Sequence, residues 1–136
     1  MSASLSRKLL LVYALLLAVV LLTPTSTVQS ALVEDVVHVL RLVLPDRLIT
    51  FSRAEAAMNA VIIAPLSFLG TQAFPKSRWQ DWVAYGFLGA VIVELVQGVA
   101  LPDRQASFSD IVANATGALL GAVLARMLFR QSDRGQ

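Results

Sequence analysis

The sequence predicts an all-α transmembrane bundle of about four spans, with an interfacial amphipathic helix between spans one and two. Three observations carry this expectation. Hydrophobic residues make up 57% of the chain and charged residues 15%, where a soluble domain carries about 25% charged. A water-soluble fold of 136 residues could not hide so much apolar surface, so a second, apolar solvent is implied. Four apolar stretches come close to the roughly 20 residues that cross a hydrocarbon core. Most of the basic residues lie between those stretches rather than within them. The length suits one domain, 1–136.

The first span is expected at about 8–23. Leu9 to Leu22 is apolar, Arg7 and Lys8 precede it, and Thr23-Pro24 stops it. The two basic side chains can snorkel to the surface and lengthen a short span. A basic start, a short apolar run and Val28-Gln29-Ser30-Ala31 also resemble a cleavable leader. We expect the span to be retained, and three further spans hold the chain in the bilayer either way. The second span is expected at about 54–74, with Glu55 and Asn59 inside and Pro65 removing one backbone donor to kink it. The third is expected at about 82–101, interrupted by Glu94 and Gln97, and the fourth at about 110–129, with Asn114 inside and Arg126 near its end.

Between spans one and two, at about 30–44, Leu32, Val36, Val39, Leu40 and Val43 recur at helical spacing. Glu34, His38 and Arg41 share the opposite face, and Pro45-Asp46 ends the segment. This is the pattern of a helix lying in the membrane interface. His38 reads first as a solvated or interfacial histidine.

Orientation follows from Lys and Arg. With the N-terminus in the cytoplasm, the inner segments hold Arg7, Lys8, Lys76, Arg78, Arg126, Arg130 and Arg134, and the outer ones Arg41, Arg47, Arg53 and Arg104, seven against four. Both termini are therefore expected inside. Trp79, Trp82 and Tyr85 would then anchor the third span at the cytoplasmic interface.

Composition excludes several chemistries. There is no cysteine, hence no disulfide, thiolate metal site or cysteine nucleophile. A single histidine cannot build a multi-histidine metal site. No basic patch has interleaved aromatics, which argues against a nucleic-acid partner.

What remains is a polar layer. An ionisable side chain at the centre of a span costs about 2.5–3.5 kcal/mol on translocon scales, so each needs a reason. In the orientation above, Glu55 and Asn59, Glu94 and Gln97, and Asp110 and Asn114 all fall in the outer halves of their spans. Each pair is spaced by three or four residues and so shares one helix face. Arg104, in the following loop, is placed to be their counter-charge. Blander roles compete. Ser52-x-x-Glu55 and Ser107-x-x-Asp110 both read as capping boxes. Asn59 and Asn114 could be interhelical glue. Glu94 sits too deep in its helix to be a cap, and a functional role is the better reading there. In span four, Ala113, Gly117, Gly121 and Ala125 recur every four residues. Such a small-residue face more often packs within a chain than between copies.

Two stretches carry a family likeness. Glu55-x3-Asn59-x5-Pro65-Leu66-Ser67-Phe68 looks like the second-span pattern of the VanZ-like membrane proteins, with Ser67 where Gly is usual. Glu94-x2-Gln97-x6-Arg104-x5-Asp110-x3-Asn114-x2-Gly117-x3-Gly121 resembles that family's C-terminal signature. Together they cover Ser52 to about Met127. The resemblance implies a multi-pass protein of the bacterial cytoplasmic membrane with a link to the cell envelope. The family is named for an accessory protein of glycopeptide resistance associated with teicoplanin. The resemblance supplies no reaction.

Three functions compete. One is a binding module in which Glu55, Asn59, Glu94, Gln97, Arg104, Asp110 and Asn114 hold a lipid-linked or envelope-derived polar group. A second is an enzyme on such a substrate, with Glu94 and Asp110 sharing acid and base work. The third is a purely structural cluster. The oxygen-rich set is compatible with a hard cation such as Mg²⁺, though nothing calls for a cofactor. No serine elbow or cysteine supplies a nucleophile, which ranks the enzyme below the binding module. The oligomeric state is left open.

Overall fold

The computed structural model describes the backbone of residues 2–22, 27–100 and 108–130. The chain forms α1 (Ala3–Leu22), α2 (Thr27–Arg41), a 3-10 turn (Asp46–Leu48), α3 (Phe51–Ala73), α4 (Trp79–Ala100) and α5 (Phe108–Arg130). No strand occurs among the described residues, so the all-α expectation holds. Three helices carry segments long and apolar enough to cross a membrane: Ala3–Val20, Phe51–Ala73 and Phe108–Phe129. Helix α4 has 22 residues, about 33 Å at 1.5 Å per residue, and packs along α5. About four spans is therefore consistent with the fold.

The centre of the molecule is the α3–α5 pair. A β-carbon added at Gly117 would strike the backbone carbonyl of Ala60, and one at Gly121 that of Ala64. The matching four-residue steps show that α3 and α5 run parallel and touch backbone to backbone. Ala113, Gly117, Gly121 and Ala125 are all buried, so the small-residue face is used inside the chain. Gln72 Nε2 donates to the Ala125 carbonyl at 3.4 Å, and Phe68 meets Phe129 edge-on at 6.1 Å. Helix α4 runs antiparallel on the other side of α5, with Gly86 against Ala118.

Helix α1 lies antiparallel to α3 and is tied to it at three heights. Arg7 Nε donates to the Ala73 carbonyl at 3.0 Å, at the end of α3 where carbonyls lack helical partners. The same guanidinium sits 5.4 Å above the Phe74 ring, and Phe74 stacks on Trp82 at 5.8 Å. Halfway along, the Tyr13 hydroxyl donates to the Ile62 carbonyl at 2.6 Å. Pro65 has no N–H to give the Val61 carbonyl, and the Tyr13 bond falls on the neighbouring carbonyl of that turn. Further on, Leu17 packs with Ile63 and Ala118. The helix begins at Ala3, so Arg7 and Lys8 lie within α1 rather than ahead of it.

One local expectation is corrected. Helix α3 starts two residues before Ser52 would cap it: Thr50 is the N-cap, and its side chain accepts from the Arg53 N–H at 3.3 Å. The Ser52–Glu55 capping box is therefore not formed, because Thr50 competes for the same role and wins. Helix α2 also packs on α3, through residues beside the expected interfacial face. Val33 and Val37, with Ile49 and Ala54, form the contact with α3, joined by Leu40 and Met58. Leu32 and Val39 are exposed, at 51% and 60%, and Val43 falls beyond the helix end. The apolar arc is wide enough for two contacts: one flank meets α3 and the other is left for lipid.

Candidate functional site

The polar residues of α3 begin one turn inside the helix. Glu55 lies in α3 just over one turn beyond the Thr50 cap. Asn59, one turn on, donates through Nδ2 to Asp110 Oδ1 at 3.1 Å. Asp110 lies in the first turn of α5, where the positive helix end favours a carboxylate. This bond links the starts of the two central parallel helices.

Glu55, Asn59 and Asn114 line one cavity of about 90 Å³. Its other walls are aliphatic: Val20 of α1, Leu32 and Val33 of α2, and Met58, Ile62 and Ile63 of α3. Sequence reasoning missed these wall residues, since they read as ordinary lipid-facing or core positions. The only signal was spacing, because Met58 and Ile62 follow Glu55 at helical intervals on one face.

Asn114 is 8% exposed and no hydrogen bond is formed by its side chain among the described residues. No fully enclosed side-chain nitrogen or oxygen among those residues lacks a partner. The amide of Asn114 therefore presents its polar atoms to the cavity.

Glu94 is 6% exposed and Ala90 5%; with Gly86 they form the face α4 turns inward. From the Gly86–Ala118 contact, two turns toward the end of α4 and two turns back along α5 each cover about 12 Å. That step brings Glu94 level with Asp110. Neither residue is among those lining the cavity. The Gln97 side chain and all of Arg104 lie outside the described residues, as does Ser107 of the second expected capping box. Among the described residues, no group of three or more His, Asp or Glu side chains is placed to hold a metal ion.

Away from this layer, Glu34, His38 and Arg41 border an open groove of about 310 Å³ with Val37 and Phe51. Arg41 donates to the Ile49 carbonyl at 3.4 Å and approaches Asp46 at 3.7 Å, holding the 3-10 turn in place. His38 is exposed.

An apolar helical bundle with a buried polar cavity at one end defines a class, the small multi-pass membrane proteins. The chain belongs to the VanZ/LLP1 family, whose sequence model matches residues 10–130. The match runs from α1 to the end of α5, and so includes every helix that frames the cavity. No curated protein matches the chain, and no solved structure does.

Proposed function

We propose that this VanZ/LLP1 protein acts as one membrane domain that holds the polar head of an envelope lipid at the outer-leaflet end of its bundle. The observation that carries the reading is the cavity itself. Three polar side chains from two helices meet there, inside walls that are otherwise aliphatic. A few placed polar groups in an apolar concavity are the usual form of a small-ligand site. The aliphatic side, toward α1 and α2, suits the tail of a lipid.

Orientation supports the outer placement. Arg7, Lys8, Lys76, Arg78 and Arg126 gather at the end of the bundle opposite the cavity. The positive-inside preference puts that end, and both termini, in the cytoplasm of a bacterial cell. Arg104 would add a contact to an anionic part of the lipid, and Gln97 a further hydrogen bond. An effect on glycopeptide sensitivity fits such a binding role.

The enzyme reading, with Glu94 and Asp110 as acid and base, is weaker. Both are level with the cavity, but Asp110 is engaged by Asn59 and neither lines the cavity.

The test is native mass spectrometry of the purified protein after exposure to a bacterial envelope lipid extract. Wild type is expected to retain a defined lipid, and Glu55→Gln with Asn59→Leu is expected to lose it while the helical content is unchanged. Equal retention by both proteins would refute the reading.

A further inference from the structure

We infer that the corner joining α2 to α3 is a docking surface for anionic phospholipid, with Arg47 and Arg53 on the lipid phosphates and a shoulder of leucines among the first methylenes. The surface is separate from the cavity, and the inference holds for whichever leaflet the corner faces. Three features of the corner support it.

The first is geometry. The 3-10 turn Asp46–Leu48 is gripped from both sides. Arg41 donates through Nη2 to the Ile49 carbonyl at 3.4 Å. Arg53 donates through Nη1 to the carbonyls of Arg47 and Leu48, each at 3.3 Å. The second grip holds the Arg53 guanidinium against the turn that carries Arg47, and both arginines are exposed. A guanidinium has five N–H donors in a planar fork that matches phosphate oxygens, and only one atom of the Arg53 fork is engaged by the turn.

The second is charge. Arg41 is offset by Asp46 at 3.7 Å. Among the described residues, neither Arg47 nor Arg53 has an ion pair. Glu34 and Asp35 precede Arg41 by six or seven residues, about 9–10 Å back along α2. Glu55 is two residues from Arg53, hence on another face of α3, and lines the cavity. Two like charges held on one turn repel, and an anion between them removes the repulsion.

The third is the apolar shoulder. Leu42, Leu44 and Leu48 are exposed beside the arginines, and so is Phe51, the first residue of the span Phe51–Ala73. That span has 23 residues, about 35 Å at 1.5 Å per residue, against a hydrocarbon core of about 30 Å. Its first turn therefore sits at the rim of the core, where phosphates meet acyl chains. An acidic polypeptide would match the arginines and leave the leucines uncovered. A phospholipid with net negative charge matches both.

The test is hydrogen exchange, read by mass spectrometry, on the full-length protein in nanodiscs. One set holds phosphatidylcholine alone and the other includes phosphatidylglycerol. The amides of Leu44, Leu48 and Ile49 are each bonded within the corner, so their exchange reports its opening. Phosphatidylglycerol is expected to slow exchange across residues 42–49 by about 5-fold or more, the factor of one arginine at an anionic surface. Arg47→Gln is expected to lose most of that slowing and keep the wild-type melting temperature, because the turn is bonded through the Arg47 carbonyl and not its side chain. The Glu55→Gln, Asn59→Leu protein is expected to show the full slowing, which separates this surface from the cavity. Equal exchange of wild type in the two lipids would overturn the inference, and that comparison needs no variant. Slowing of the same size along all of Thr27–Arg41 would also overturn it, as an effect of the charged membrane on every exposed amide. So would equal slowing in phosphatidylcholine discs on adding soluble glycerol phosphate or polyglutamate, which would make the occupant a free anion or an acidic protein segment.

Discussion

At the scale of single residues, the bundle depends on a few contacts between a side chain and a neighbouring backbone. Tyr13 donates to the Ile62 carbonyl beside the Pro65 break. Tyr13→Phe should cost about 0.6–1.5 kcal/mol, the range of one such bond, and an unfolding titration in mixed detergent would read it. Gly117→Leu should cost more, about 1–3 kcal/mol or outright failure to accumulate, because the atom in the way is the Ala60 backbone and cannot rotate aside. A Gly117 variant as stable as wild type would mean that α3 and α5 do not touch there. Glu94→Gln should accumulate near the native level, since Gln keeps shape and hydrogen bonding. If it disappears from the membrane, the carboxylate is structural. This scale was also the hardest to read from sequence. Ser52-x-x-Glu55 has the form of a capping box, yet Thr50 takes the cap. Two hydroxyl residues stood within one turn, and propensity alone does not choose between them. The correction matters for function, because Glu55 lines the cavity.

At the scale of elements, hydrophobic periodicity located every helix but did not say what each face meets. Helix α2 shows why. Val33 and Val37 pack on α3, Leu32 borders the cavity, Val39 is exposed, and all belong to one wide apolar arc. Val37→Asp should release α2 without unfolding the rest. Hydrogen exchange would then accelerate across Thr27–Arg41 and stay slow in the second half of α3. Uniform acceleration throughout the bundle would show that α2 is part of the cooperative core. Helix α1 carried two readings in the sequence, membrane span or cleavable leader. Its contacts favour retention: Ser6 is 0% exposed, and Arg7 and Tyr13 each bond to α3. A leader has no need of such ties. The intact mass of the purified protein should include α1. A chain beginning at Ala31 would contradict this. The small-residue stripe of α5 was fully legible, because the four-residue repeat of Ala and Gly has few other uses in a membrane helix.

At the scale of the whole molecule, the fold and family were legible, and the site was legible in part. Spacing alone placed an acid and an amide on the same face of three helices. The Asn59–Asp110 bond and the shared cavity of Glu55, Asn59 and Asn114 join the pairs from α3 and α5. What spacing could not give was how α3, α4 and α5 rotate about their axes, and so which members of the polar layer line the cavity: Glu55, Asn59 and Asn114 do, and Glu94 and Asp110 do not. The expected topology, with the cavity end outside, is tested by cysteine labelling in intact cells. Val43→Cys should react with an impermeant reagent and Ser77→Cys should not. The reverse pattern would invert the molecule and move the cavity to the inner leaflet.

The most direct measurement is the melting temperature of purified protein with and without added bacterial envelope lipid extract. A ligand that binds the folded state alone raises stability with concentration. Wild type should melt several degrees higher with the extract. Glu55→Gln combined with Asn114→Leu should melt near the wild-type temperature without extract and should not rise when extract is added. An equal rise in both proteins would place lipid binding elsewhere on the bundle and leave the polar cavity as a structural feature.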